Sequence, residues 1–329
     1  VAVIPSSTVP PAAPDPAPAS RTPWYSRTPS LGLQKLFAWA AVITHGGIAV
    51  TGATVRVTGS GLGCETWPEC QPGSLTPVSR EDLSAFHQAI EFGNRTLTGV
   101  VLVASLGTFL LIWRARPARR GLPLLAAVLP LGVLFQAVLG GITVLTGLTW
   151  WTVAPHMIVS LVLLVVAVAV LHRLQEPDGE KLQLIPRPLR VLTWSTLGVL
   201  GALCVAGTLV TAAGPHAGDA ETPRLELPVR TLAQIHADLM FTYLGLVVAL
   251  TVGLLAVHAP RRLIKRAVVL IGVTLAQGLI GLVQFAIGVP EALVVAHVLG
   301  AVLLVAAAAF LAVGTTTRDA ELARSIPRS

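Results

Sequence analysis

Charge is scarce in this chain. Only 12% of its 329 residues are charged and 53% are hydrophobic, whereas an ordinary soluble domain carries roughly 25% charged residues. With a mean hydropathy of +0.75, a soluble globular fold is excluded and a polytopic membrane protein is expected. Cysteine is scarcer still, with three in all, and no Cys/His/Asp cluster offers the ligand set that zinc requires. The first 30 residues lack an apolar run and are rich in Pro, Ala and Ser. They read as part of a disordered cytoplasmic tail, residues 1–35, rather than as a signal peptide.

Long apolar runs are abundant. Stretches of about 20 residues, the length a helix needs to cross hydrocarbon, occur at 36–57, 86–113, 122–145, 151–171, 191–213, 231–257, 267–288 and 291–313. The expected fold class is an all-α membrane protein with eight transmembrane helices. Most Lys and Arg fall in the tails and in the connections around 114–120, 173–190 and 261–266, whereas the opposite loops hold little beyond Arg56, Arg80, Arg224 and Arg230. That bias predicts a cell-membrane protein with both termini cytoplasmic and the long loops 58–85 and 214–230 outside. The formal net charge of +7 is then topological, and no nucleic-acid partner is called for.

The two halves resemble each other. "TGATVRVTGSGLGC" (51–64) aligns with "AGTLVTAAGPHAGD" (206–219), and "QAVLGGITVLTGL" (136–148) with "QGLIGLVQFAIGV" (277–289). The second register pairs Gln136 with Gln277 and Gly140 with Gly281, and carries His156 onto His297 without a gap. Each half has an even number of helices, so the repeats share one orientation, related by an axis along the membrane normal. The expected organisation is two pseudo-symmetric four-helix bundles, 36–171 and 191–313, joined by a cytoplasmic linker, 172–190, and followed by a tail, 314–329.

Cys64 and Cys70 lie in the first outer loop, in "GCETWPEC". In an oxidising compartment they are read as a disulfide, the alternative being two free thiols. Cys204 lies within an apolar helix and reads as a small packing residue.

Eight histidines are present. His172, His216 and His258 fall in loops or at helix ends, where solvent or headgroups account for them. His45 has no repeat counterpart and reads as a bundle-facing polar contact. His156, His236 and His297 each lie five or six residues in from the outer end of a helix, roughly 8–9 Å deep. Two imidazoles at matching depth on separate helices can clamp a planar metal macrocycle from both faces, as in a bis-histidine haem. His236 and His297 form such a pair in the second half. Proton relay is the competing reading, but it does not call for depth-matched pairs. In the first half, Asn94 stands where the partner of His156 is expected. It belongs to "HQAIEFGNR", which sets His87, Glu91, Asn94 and Arg95 on one helix face. Intramembrane polar groups of this kind are functional by default. Glu91 is read as a proton-transfer group, against an i,i+4 ion pair with Arg95 that only stabilises the helix. Arg95 suits a propionate, with Arg56 and Arg80 weaker candidates.

On "TGATVRVTGSGLGCETWPEC", "IEFGNR", "QAVLGGITVLTGL" and the three deep histidines, residues 36–313 resemble the haem A synthase family. The resemblance implies oxidation of a porphyrin methyl group of haem O to a formyl, with substrate haem O in the first bundle and haem b in the second. It implies His236 and His297 as haem b ligands, His156 as a ligand in the haem O cavity, Glu91 as the essential carboxylate of a Glu-x-x-His-Arg motif, and Cys64 and Cys70 as the outer-loop pair. Haem O synthase is the implied supplier of substrate, while the electron acceptor is not legible. Two departures stand out. Asn94 replaces the motif's His, so either His87 substitutes for it by a shifted register or the iron has an open side. The loop 214–230 also lacks a second cysteine pair. A di-haem electron carrier is the alternative function, but it calls for two intact His pairs. A transporter of parallel repeats calls for broken helices at the midplane, where few glycines fall.

Overall fold

The computed structural model describes residues 28–78, 84–115, 121–219 and 221–321. The tail through residue 27 and the residues Arg80, Arg116, Arg119, Arg120, Arg324 and Arg328 lie outside them. Eight helices follow one another: α1 (Leu31–Val57), α2 (Ala85–Ala115), α3 (Gly121–Leu145), α4 (Trp150–Gln175), α5 (Arg187–Ala213), α6 (Val229–Ala256), α7 (Arg261–Ala286) and α8 (Glu291–Val313). Among the described residues, all eight are long and apolar enough to cross a membrane. This is a multi-pass membrane protein.

The helices match the eight apolar runs and extend beyond them at the basic ends. α7 begins at Arg261 rather than 267, and α5 at Arg187 rather than 191. Hydropathy marks where hydrocarbon starts, but backbone hydrogen bonding continues into the headgroup layer. α1 gains its extra turn from Ser30, whose hydroxyl accepts the Leu33 N–H at 3.3 Å, satisfying one of the orphan donors at a helix start.

Packing follows two cyclic sets. α1 meets α2, α2 meets α3, α3 meets α4, and α1 meets α4; the same circuit links α5 to α8. The two bundles join through α1 and α4 on one side and α5 and α8 on the other. Each helix buries a narrow stripe. On α7 the buried residues are Leu263, Ala267, Leu270, Thr274 and Gln277, spaced three or four apart as one helix face requires. The outward faces carry exposed Phe135, Phe241 and Leu282, as lipid contact demands.

The repeat is visible in backbone detail. The α3–α4 turn has Gly147 and Leu148 at positive φ (66° and 59°), and the α7–α8 turn has Gly288 and Val289 at positive φ (88° and 59°). In both, the second residue's N–H returns to the preceding helix: Leu148 to Thr143 O at 2.9 Å and Val289 to Gln284 O at 2.7 Å.

The 172–190 segment contains secondary structure of its own. α4 continues to Gln175, and β1 (Leu182–Gln183) pairs antiparallel with β2 (Thr316–Thr317), so the start of the 314–329 tail is zipped to it. One expectation needs correction: His172, assigned to solvent or headgroups, is instead buried, because α4 continues past it to Gln175.

Candidate functional site

His236 on α6 and His297 on α8 face each other, with ring centroids 6.2 Å apart and planes inclined by 65°. His236 Nδ1 lies 3.1 Å from the Leu203 carbonyl of α5. A carbonyl only accepts, so Nδ1 carries the proton and Nε2 keeps its lone pair for a ligand or metal. Both rings rest on glycines. A Cβ on Gly207 would lie 3.0 Å from His236 Cε1, and one on Gly281 would lie 3.1 Å from His297 Cε1. Two imidazoles facing each other at this separation are a donor set that would fit a haem iron, with His236 and His297 as the residues to hold it.

The first bundle repeats half of this arrangement. His156 on α4 rests on Gly140 of α3, 3.2 Å from its Cβ position. Its Nδ1 is buried without a partner, as is that of His297. Asn94 of α2, the residue that the repeat aligns with His236, accepts a 2.7 Å hydrogen bond from the Thr51 hydroxyl of α1. Gly52, the counterpart of Gly207, has open space where its Cβ would point. The glycine seat persists although the imidazole is absent. A cavity of about 330 Å³ adjoins Asn94, between Thr51 and Thr54 of α1 and Ala89, Gly93 and Leu97 of α2.

Each α4 or α8 histidine is also held from behind. The Gln136 amide donates to the His156 carbonyl at 2.8 Å and lies 2.6 Å from the Ser160 hydroxyl; the Gln277 amide donates to the His297 carbonyl at 2.6 Å. Sequence reasoning used these glutamines only to set the repeat register. A polar residue one turn before each glycine seat was the available signal.

Glu91 and Arg95 are fully committed. Glu91 Oε2 accepts the Cys64 backbone N–H at 2.7 Å, and Oε1 accepts from Arg95 Nε and Nη2 at 3.1 and 2.6 Å. Arg95 Nη1 donates to the carbonyls of Thr66 and Glu69, at 2.8 and 3.1 Å. Its Nη2 donates to that of Cys64 at 2.8 Å. All five guanidinium N–H groups are used. The ion pair exists, but Glu91 is buried rather than at an exposed helix surface, and it ties α2 to the loop closed by the Cys64–Cys70 disulfide. Expected from sequence, that disulfide is present.

His87 lies near the start of α2, its ring 5.8 Å from that of Phe86, with its backbone pressed against Gly63; these contacts do not bring it onto His156. His45 hydrogen-bonds to the buried Ser105 hydroxyl at 3.1 Å, the bundle-facing polar contact expected of it. Arg56 joins the two repeats: Nε donates to the His216 carbonyl at 2.6 Å and Nη2 to that of Thr211 at 3.2 Å. The Thr211 carbonyl lies in the last turn of α5, where a cation is favoured. Thr211 is the repeat counterpart of Arg56 itself.

Fold and site together define a duplicated eight-helix membrane protein with imidazoles aimed into both bundles. The sequence pattern described as cytochrome oxidase assembly protein matches residues 35–309, and the chain belongs to that family. Over 131 residues it is 37% identical to "Heme A synthase" of Lysinibacillus sphaericus (strain C3-41), covering 39% of this chain and 40% of that protein. Over 175 residues it is 27% identical to "Heme A synthase" of Staphylococcus haemolyticus (strain JCSC1435), covering 52% and 56%. A 92-residue stretch is 34% identical to "Protoheme IX farnesyltransferase" of Thermus thermophilus, covering 28% of this chain and 14% of that protein. The chain thus aligns with 40% and 56% of the length of the two synthases.

Proposed function

We propose that this protein catalyses the haem A synthase reaction, oxidising a porphyrin methyl group of haem O to a formyl. Family membership and the named synthases support the reaction. The facing imidazoles of His236 and His297, 6.2 Å apart, are the observation that carries the cofactor reading. In this reading His236 and His297 would hold haem b in the second bundle, and the group would supply electron transfer there. The first bundle holds haem O, with His156 as ligand. Asn94 is tied to Thr51 and leaves the opposite side to His87 or open. Glu91 is the proposed acceptor of protons released at the reacting methyl. A haem O synthase is the proposed source of substrate, in keeping with the short similarity to a protohaem farnesyltransferase. The basic bias of the loops supports a cell-membrane orientation with both termini cytoplasmic and both sites in the outer half.

The di-haem carrier needs two histidine pairs, and the bond from Thr51 to Asn94 gives it no support in the first bundle. The deciding experiment is expression in a host that makes haem O but no haem A, followed by chromatography of the extracted haems. Haem A is expected with the wild-type chain; haem O and haem b alone would overturn the proposal.

A further inference from the structure

The loop between Cys64 and Cys70 is held on three sides. Glu91 and Arg95 bind its backbone, the disulfide closes it, and the buried Gln71 amide donates to the Gly63 carbonyl at 3.2 Å. One large side chain, Trp67, projects from this ring towards α3. A Cβ on Gly141 would fall against its Cδ2 and 2.8 Å from Cε2 and Cγ. Only glycine leaves room for an indole at that distance from the helix backbone. The preceding residue, Gly140, is the seat of His156, so indole and imidazole occupy adjacent positions on one turn of α3.

Among the described residues, the second bundle has no such feature. In the repeat register Gly141 corresponds to Leu282 and Trp67 to Thr222. Leu282 turns outward, 67% exposed. Trp67 remains 38% exposed, so the surface not pressed on Gly141 is free. A tryptophan kept partly open on a loop held by several polar contacts is more than core filling, since its body supplies a large apolar face for a planar ligand.

We infer that Trp67 is a substrate-contacting residue, the outer wall of the His156 site, whose free indole surface packs against the apolar periphery of haem O. Glu91 and Arg95 act through the loop as positioning residues for that wall. The inference rests on the proposed haem O reading of the first bundle. A wall on one edge limits how the macrocycle turns about the His156 axis, and thereby which methyl group is presented for oxidation. The haem b site needs no such selection and lacks the wall.

The test is titration of the purified, haem b-loaded full-length chain with haem O, read by absorbance and compared with haem A formation. Trp67→Ala is expected to weaken haem O binding about tenfold, the scale of one lost aromatic contact with its buried area. Trp67→Phe should retain most of the affinity. Gly141→Ala should reproduce Trp67→Ala by pushing the indole off α3, and the double variant should be no worse than either alone. The haem b spectrum and the Cys64–Cys70 bridge, read by intact mass, should be unchanged in all of these variants. Wild-type haem O affinity in Trp67→Ala would overturn the inference, whatever the behaviour of Gly141→Ala. A wild-type chain that binds haem O through His156 yet makes no haem A would overturn the proposed reaction alone. Failure of the wild type to bind haem O would overturn both.

Discussion

Glu91 and Arg95, one turn apart on α2, form a 2.6 Å ion pair whose remaining hydrogen-bonding capacity is spent on the backbone of the Cys64–Cys70 loop. The pair joins a transmembrane helix to the loop that follows α1. Glutamine at position 91 is therefore not a neutral replacement: its NH2 would face either the Cys64 N–H or the guanidinium, donor against donor.

Glu91→Gln is expected to abolish haem A formation while leaving the haem b spectrum intact. Breaking a buried pair from one side costs about 3 kcal/mol, here borne by the loop. Arg95→Met should loosen the loop equally, seen as faster reduction of Cys64–Cys70 by dithiothreitol. A proton-transfer role for Glu91 predicts that Arg95→Met retains more activity than Glu91→Gln at equal loosening. Equal activity in the two would remove the chemical role and leave the anchoring one.

Replacing His236 or His297 by Ala should each eliminate the low-spin haem b spectrum, with membrane insertion unchanged. A full-strength spectrum in either variant would refute the clamp between α6 and α8.

Asn94→His should lay an imidazole on Gly52 as His236 lies on Gly207, since the space at Gly52 is open. With haem O added, a second low-spin species dependent on His156 is expected. His87→Ala in the same background should not affect it. Absence of the new species would mean that the α1–α2 seat does not face His156.

Gln277→Leu removes the amide that holds the His297 carbonyl, and with it a buried Oε1 that has no partner. A net hydrogen bond contributes about 1 kcal/mol, and losing the orphan acceptor offsets part of that, so stability should change little. The expected effect is on ligand geometry: a shifted midpoint potential and altered electron paramagnetic resonance of haem b. Gln136→Leu should leave those signals untouched and instead weaken haem O binding. Identical haem b signals in Gln277→Leu and the wild type would reduce the glutamine to a packing residue.

Much of this protein is written in its amino-acid order. Eight apolar runs, their basic flanks and two alignable halves dictate the helices and the duplication, because an uninterrupted apolar run of about 20 residues satisfies its backbone in hydrocarbon as a helix. Depth along a helix is also a linear quantity, so counting residues from the N-terminal ends of α4, α6 and α8 brings His156, His236 and His297 to a common level. Rotation and reach are not linear. Whether Arg95 turns to a propionate or to the carbonyls of Cys64, Thr66 and Glu69 depends on where a loop 26 to 31 residues away lays its backbone. Whether Trp67 lies over Gly141 depends on that loop crossing to a third helix. Asn94 reads from the sequence as a missing ligand, but its bond to Thr51 and the open seat at Gly52 exist only once α1 is packed on α2. The sequence by itself determined the span, level and repetition of the elements. The tertiary structure alone decided the partners, because a polar side chain in a dry interior takes the nearest group that satisfies its hydrogen bonds, and that group is set by packing.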